Sequence, residues 1–205
     1  MSAALTTNGD LYCWGENTNG VVGNGSTDDQ YTPVKVLENV KEFYGSRSTP
    51  SVVTTNGDLY CWGNNYYGAV GNGSTDAHQY TPVKVLENVK EFYSAGFTSS
   101  AITTNGDLYC WGENSCGQVG NGSTDDQYTP VKVLENVKKF YVHYDTSVRT
   151  STAITTNGDL YCWGVNYDGQ VGNGSTAYQH TPVKVLENVK DFYGDGSTSS
   201  AATTN

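Results

Sequence analysis

An all-β propeller of four-stranded antiparallel blades, four repeats to the chain, is the fold this sequence predicts. Three observations predict it. The tryptophans fall at 14, 62, 111 and 163, spaced 48, 49 and 52 residues apart, a period suited to a blade of several short strands and too long for ankyrin or tetratricopeptide units. Each period carries an Asn-Gly hairpin signal. No apolar stripe recurs at helical spacing, and Gly, Asn and Thr fill the linkers.

The elements follow in order within one period. TTNGDLYCWG (6–15) returns unchanged at 54–63, 103–112 and 155–164. Its Asn-Gly, between AALTT and DLYCW, predicts a two-residue type I′ turn with positive φ at both positions. Every side chain of LYCW is bulky or apolar, which predicts a strand buried on both faces between two neighbouring sheets. GNGST (23–27) reads as a glycine-rich turn and TP (32–33) as a strand entrance. PVKVLENV alternates, with Val34 and Val36 inward and Lys35 outward, as expected nearer a blade's rim. One domain, 1–205, results: a propeller or half-propeller with repeats at about 6–53, 54–102, 103–154 and 155–202, and with 199–205 duplicating the repeat position of 2–8. That duplication leaves three arrangements: a piece of a longer array, four blades closing alone, or two chains joined as one eight-bladed ring. The two-chain ring, a homodimer made by blade or terminal-strand completion, is the favoured expectation.

The residues resemble the regulator of chromosome condensation repeats, most closely their bacterial members. The consensus of that family, ALT-x-x-G-x-x-Y-x-WG-x-N-x-x-GQLG-x-G followed by a Pro-Val strand, is matched by AITTNGDLYCWGENSCGQVGNGST (101–124) and TPVKVLENVKKF (129–140), and similarly four times along the chain. The resemblance implies a seven-bladed propeller in its best-known forms. It implies two functions: nucleotide exchange on a small GTPase with docking on nucleosomes, or loop-mediated inhibition of a β-lactamase. The family's Gly-x-x-His-Thr segment lacks its histidine in all four copies here (GSRSTPSVV, 45–53, and its equivalents).

Composition narrows the function. Twenty-one Asp and Glu against eleven Lys and Arg give a net charge of −10, and the lysines are spread evenly, which argues against binding nucleic acid. No apolar run approaches bilayer length, so no membrane insertion is expected. Met1 leads directly into repeat sequence, without the regions of a signal peptide. The Thr/Asn/Gly-rich surface suits an extracellular or cell-surface bacterial protein. Cys13, Cys61, Cys110 and Cys162 occupy one repeated position with no paired histidine, which predicts small buried residues, no metal and no cofactor. Cys116 alone lies in a varying stretch and is expected to be a free thiol. NGD is a turn and not a calcium loop, GNG lacks the Lys-Ser/Thr of a phosphate loop, and no nucleophile motif occurs, so no catalytic residues and no enzyme are expected. Asn-Gly-Ser at Asn24, Asn72, Asn121 and Asn173 fits a glycosylation acceptor, but a turn explains it.

Differences between copies gather in three stretches: the residues after WG, those after GNGST, and the segment after Phe-Tyr. Of sixteen tyrosines, eleven hold repeated positions; Tyr66, Tyr67, Tyr144, Tyr167 and Tyr178 occur only in varying stretches. Drift on solvated loops predicts polar residues there, whereas Tyr mixed with Ser, Asn and Gly is the composition of a binding surface. Tyr66, Tyr67, Phe97, Tyr144, Arg149, Tyr167, Tyr178 and Arg47 are therefore the expected partner-binding residues of a non-enzymatic module for a protein or glycan. Two alternatives stand beside it: an engineered or excised repeat array serving as a self-assembling scaffold, and a guanine nucleotide exchange factor.

Overall fold

The computed structural model describes residues 1–45, 48–145, 148–194 and 199–203, with side chains for all of these except 142–145, 148 and 194. The described residues form seventeen strands, all paired antiparallel, in five sheets. The first sheet is β1 (Ser2–Leu5), β2 (Leu11–Gly15) and β3 (Gln30–Leu37). The second is the four-stranded meander β4 (Val40–Tyr44), β5 (Ser51–Thr54), β6 (Leu59–Asn64) and β7 (His78–Leu86). The third joins β8 (Val89–Ala95), β9 (Thr98–Thr103), β10 (Leu108–Gly112) and β11 (Gln127–Leu134) in the same order. The fourth joins β12 (Val137–Asp145), β13 (Val148–Thr155), β14 (Leu160–Gly164) and β15 (Gln179–Leu186). The last holds β16 (Val189–Gly194) and β17 (Ser199–Thr203). The all-β, bladed architecture read from the repeats is thus present; the one helical feature is a 3-10 turn at Tyr66–Gly68.

Sheet boundaries fall elsewhere than repeat boundaries. The strand VKEFY ends a repeat in sequence but opens the next sheet in space. The cause is a two-residue link, Glu38-Asn39, in which Asn39 takes a left-handed φ of 58° and swings the chain out of the sheet it has just completed. Asn88, Asn136 and Asn188 do the same at 57°, 57° and 59°. Each link is bonded on both sides. Val40 N–H donates to the Gly9 carbonyl of the sheet being left (2.9 Å), and the Asn39 carbonyl accepts Thr55 N–H of the sheet being entered (2.8 Å). The same pair of bonds recurs at Val89/Asn88 and Val137/Asn136.

The Asn-Gly turn differs from the type I′ expectation. Only the glycine has positive φ (82° at Gly9); Asn8 does not. Gly9 N–H donates to the Thr6 carbonyl (3.0 Å), Thr6 N–H to the Asp10 carbonyl (2.9 Å), and Asp10 N–H to Thr6 Oγ1 (3.0 Å). This is the three-residue hairpin loop, a type I turn followed by a left-handed glycine. The threonine hydroxyl gives the extra Asp10 amide its partner, which a two-residue turn would not need. Lys35, 3.0 Å from Asp10 and 2.7 Å from Glu38, bridges this turn to the neighbouring link.

The hairpin TTNGDLYCWG supplies an inner strand of the first four sheets, beside the edge strand that carries TPVKVL. It is buried as expected except at its tyrosine, which is half-buried in every copy, and at Trp14. Leu59, Cys61, Leu108 and Cys110 are buried, and Trp62, Trp111 and Trp163 are fully so. Each of these three indoles crosses to the preceding sheet. Trp62 Nε1 donates to the Val21 carbonyl (2.8 Å), Trp111 Nε1 to Ala69 (3.1 Å) and Trp163 Nε1 to Gln118 (2.9 Å). Along one edge, β4, β8, β12 and β16 run side by side through aromatic pairs: Tyr44–Phe92 at 5.5 Å, Tyr93–Phe140 at 5.8 Å and Tyr141–Phe192 at 5.9 Å between ring centroids. On the last of these joints Lys139 and the Tyr141 hydroxyl bind Asp191 (2.9 and 2.8 Å) and hold its carboxyl at about 2.

The indoles need room. A Cβ on Gly71 would lie 2.5 Å from Trp111 Nε1, whereas on Gly172, at the same place in the last loop, it would meet only Val185 Cγ1 at 3.3 Å. Both glycines have φ near +82°, so both substitutions carry left-handed strain of about 1–2 kcal/mol. Overpacking against Trp111 adds about 1–3 kcal/mol to the first alone. Gly71→Ala should therefore lower the melting temperature clearly more than Gly172→Ala, as measured by circular dichroism on the two variants side by side.

Candidate binding face

Strand direction sorts the loops. Within the second sheet β4 and β6 end where β5 and β7 begin, so the 45–50 and 65–77 connections emerge together, opposite the Asn-Gly turns. The third and fourth sheets repeat this. All three varying stretches belong to these connections or to the residues bordering them. The loop differences between copies therefore lie at one end of the sheets, together with the unvarying GNGST turn, and the Asn-Gly turns and the links at Asn39 and its equivalents lie at the other. Glu42, Glu91, Lys139 and Asp191, which also differ, lie along the strands nearer that second end.

The long connection is organised by an asparagine that the sequence reading did not single out. Asn65 Nδ2 donates to the Ser74 carbonyl (2.9 Å) and the Asp76 carbonyl (2.9 Å), and Asn65 Oδ1 accepts Val70 N–H (3.0 Å). Asn17, Asn114 and Asn166 make the same three bonds in their loops, and all four are buried. The available signal was its persistence: in WG-x-N the asparagine stays while residues on both sides change.

Two varying positions are packed, not released. Val21, Ala69, Gln118 and Gln170 are buried, and the shared feature there is the backbone carbonyl that receives the neighbouring sheet's donors. A carbonyl makes no demand on its side chain, which is why these four residues differ. Asn64, Glu113 and Val165 are also buried, under the segments that lead into β5, β9 and β13; their N–H groups donate to the carbonyls of Ser48, Phe97 and Arg149.

The tips are different. Tyr66, Tyr67, Tyr167 and Tyr178 are each 41–49% exposed. Tyr67 meets Phe97 edge-on, 5.2 Å between centroids, where the second and third sheets join. Tyr66 lies against His78 (5.7 Å), and His78 stacks on Tyr80 (5.9 Å) and is 3.2 Å from Asn19 Oδ1 of the first sheet's loop. Tyr67 itself has φ 60°, a left-handed conformation that is strained for a bulky side chain and that clusters at functional sites. Tyr167 packs near Tyr178 (6.2 Å) in the fourth sheet's loop. Arg149 reaches back to the third sheet's loop, paired with the Glu113 carboxylate through Nη1 and 3.0 Å from Ser115 Oγ. Glu113 Oε2 is buried without a partner. The structure thus pairs Tyr67 with Phe97, sets Tyr66 in a separate row with His78 and Tyr80, and places Arg149, Tyr167 and Tyr178 at the same end. Tyr144 sits in β12 opposite Arg149, its side chain outside the description, and Arg47 lies outside the described residues.

The described residues show no group of three His, Cys, Asp or Glu able to hold a metal ion. Burial pushes the thiols of Cys13 and Cys162 up to about 11 and those of Cys61 and Cys110 higher still. Among the described residues no helix is long and apolar enough to cross a membrane.

Models of the regulator of chromosome condensation repeat match residues 8–49, 56–100, 105–148 and 157–197. The chain belongs to this family. Among solved structures, RCC1 repeats of this chain superpose on yeast RCC1 (Prp20) bound to Kap60 with a TM-score of 0.72 and 21% identity, over 99% of this chain and 52% of that one. Saccharomyces cerevisiae Prp20p, described with its binding properties to Gsp1p and histones, gives 0.69 and 21% over 90% of this chain and 48% of that one, and human WBSCR16 gives 0.68 and 21% over 92% and 51%. The chain spans about half the length of these structures, and at such identity the likeness shows the propeller fold. A 41-residue stretch is 42% identical to Ras guanine nucleotide exchange factor C of Dictyostelium discoideum, 20% of this chain and 3% of that protein.

In native conditions Cys116, half-exposed in its loop, should be the one thiol that reacts with a chromogenic disulfide reagent, the other four reacting only on unfolding. Asn114→Ala removes four side-chain bonds from that loop at about 1 kcal/mol each and should speed the Cys116 reaction several-fold.

Proposed function

We propose that this RCC1-repeat chain is a non-enzymatic binding module whose varying loop end engages a protein or glycan partner. The observation that carries the reading is the co-location of the varying loops at one end of a rigid frame, with half-exposed tyrosines at the tips. Rigid aromatic anchors on a fixed scaffold lose little entropy on binding, and residues of this type dominate interface energetics. Tyr66, Tyr67 and Phe97 are the principal contacts and Arg149 is held ready at the same end by Glu113. A protein partner is favoured by the likeness to Prp20p, a protein with binding properties to Gsp1p and histones. The net charge of −10 disfavours a nucleic-acid partner. Nucleotide exchange draws on the family resemblance and on the match to 3% of an exchange factor, and on no residue arrangement of this chain, so it is not the reading adopted. As part of the same proposal the chain pairs with itself as a homodimer.

The test is an affinity series. The chain is immobilised, a partner is isolated from lysate or a glycan array, and its affinity is measured with purified ligand. Tyr67→Ala and Phe97→Ala should each weaken binding by about tenfold or more while the melting temperature stays within a few degrees. Binding indifferent to both substitutions would place the contact elsewhere.

A further inference from the structure

The joints of the second sheet with the third and of the third with the fourth are built from the same parts. At the first joint Pro50 stands where these have Ser99 and Ser151, and among the described residues Trp62 alone donates a side-chain N–H to the Val21 carbonyl. At the joint of the second and third sheets, Ser99 and Trp111 face each other across β9 and β10 and both donate to the Ala69 carbonyl, Ser99 Oγ at 3.0 Å and Trp111 Nε1 at 3.1 Å. At the next joint, Ser151 Oγ and Trp163 Nε1 donate to the Gln118 carbonyl, both at 2.9 Å. A second contact sits beside this one. Tyr128 covers Gly68, and its carbonyl accepts Gly73 N–H (2.8 Å); His180 covers Gly117, and its carbonyl accepts Gly122 N–H (2.7 Å). Plug and socket are thus both defined by residue: a Ser–Trp pair with a Tyr or His, and a loop with three glycines around one carbonyl.

The first sheet presents the plug with nothing on it. Ser2 faces Trp14 across β1 and β2 as Ser99 faces Trp111. Trp14 is half-buried where the other three indoles are fully buried, and Tyr31, equivalent to Tyr128, is 91% exposed. The last loop presents the socket. No atom lies within 4 Å of a Cβ built on Gly169 or Gly174, and Gly172 is exposed where Gly71 and Gly120 are buried. Among the described residues the Gln170 carbonyl receives a side-chain donor only from Ser199 Oγ (3.1 Å).

We propose that a second copy of this chain seats its first sheet on the last loop, with Ser2 and Trp14 donating to the Gln170 carbonyl, Tyr31 covering Gly169, and the Tyr31 carbonyl accepting Gly174 N–H. Strand register fixes how the sheets join. Phe192 pairs with Ala201 as Phe43 pairs with Val52, and Ala4 pairs with Tyr12 as Val52 pairs with Tyr60. Ala4 and Ala201 therefore belong to the same slot. The incoming β1 takes the place of β17 beside β16, and β16 followed by the second copy's β1, β2 and β3 makes a complete four-stranded sheet. The exchange gains apolar surface, since β1 carries Leu5 where β17 carries Ala202. Each copy has one plug and one socket, so two such joints close two copies into a ring of eight sheets.

This inference rests on the homodimer proposed above and not on the partner held by the loop tips. The test is sedimentation of the 205-residue chain across concentration, with acrylamide quenching of tryptophan emission at each step. At about 100 µM, above the micromolar end of the range that specific protein interfaces span, the chain should sediment at twice the mass of one copy, with Trp14 shielded from quenching as the dimer forms. Tyr31→Ala, whose side chain stands in solvent in one copy, should weaken association at least about tenfold without changing the melting temperature. Trp14→Ala should do likewise, and removing 199–205 should strengthen association by clearing the slot. A monomer at that concentration, a dimer indifferent to Tyr31→Ala, or one abolished by removing 199–205 overturns the joint. Tyr67→Ala should leave the dimer unchanged, so loss of partner capture and loss of dimerisation are scored separately.

Discussion

The tryptophan indole that crosses from each sheet to a carbonyl of the sheet before it is the contact on which the rest of the structure depends. It takes a large apolar ring out of water and satisfies its one polar atom in the same step, so burial carries no unpaired N–H. It also fixes distance. The ring seats only where a glycine leaves space, at Gly23, Gly71 and Gly120, and only where the loop carrying that glycine is held at the right height. The buried asparagine of each loop does that holding, from within the same loop. Asparagine, glycine and tryptophan thus act in series across each joint, and none of the three changes between copies.

That arrangement explains how a chain can keep so much of its sequence fixed while its loops diverge. The joint uses a backbone carbonyl at Val21, Ala69 and Gln118, so the side chain there is free to be aliphatic or amide. Beyond the asparagine the tips take no part in the indole–carbonyl contact, and there Tyr66, Tyr67 and Tyr167 stand in place of Thr18, Asn19 and Ser115. Tolerance has a limit visible at Glu113. Buried with one oxygen unpaired, it is compensated by Arg149 from the next sheet. Removing one partner of such a pair strands the other's charge, so these two positions are coupled.

Much of this was legible in the sequence, and what was not has a common cause. The period, the strand LYCWG and the buried cysteines follow from local pattern, because a strand sandwiched between two sheets must be apolar on both faces. The turn was misassigned because Asn-Gly alone suits two loop lengths; Thr6, whose hydroxyl caps the longer one, decides between them. The offset of sheets from repeats was hidden because it depends on Asn39 being left-handed, a conformation that asparagine permits without requiring. Tyr66, Tyr67, Phe97, Tyr167 and Tyr178 lie between strands, but Tyr144 and Arg149, expected in a loop, belong to β12 and β13, where the inserted residues lengthen the hairpin. Reading variation as release from packing failed at Ala69 and Gln118, where contact is made through the main chain. The Arg149–Glu113 pair and the Tyr67–Phe97 contact each join residues of different sheets, and no spacing within one repeat encodes which side chain of the next will reach over.

Hydrogen exchange of the four indole N–H groups, resolved by nuclear magnetic resonance in dilute solution, tests the central role of the crossing indole most directly. Trp62, Trp111 and Trp163, buried and bonded to the neighbouring sheet, should exchange slowly and together, while Trp14, half-buried and without a carbonyl across from it, exchanges fast. Four indoles exchanging at one rate, or a fast Trp111 inside an otherwise protected third sheet, would contradict the account.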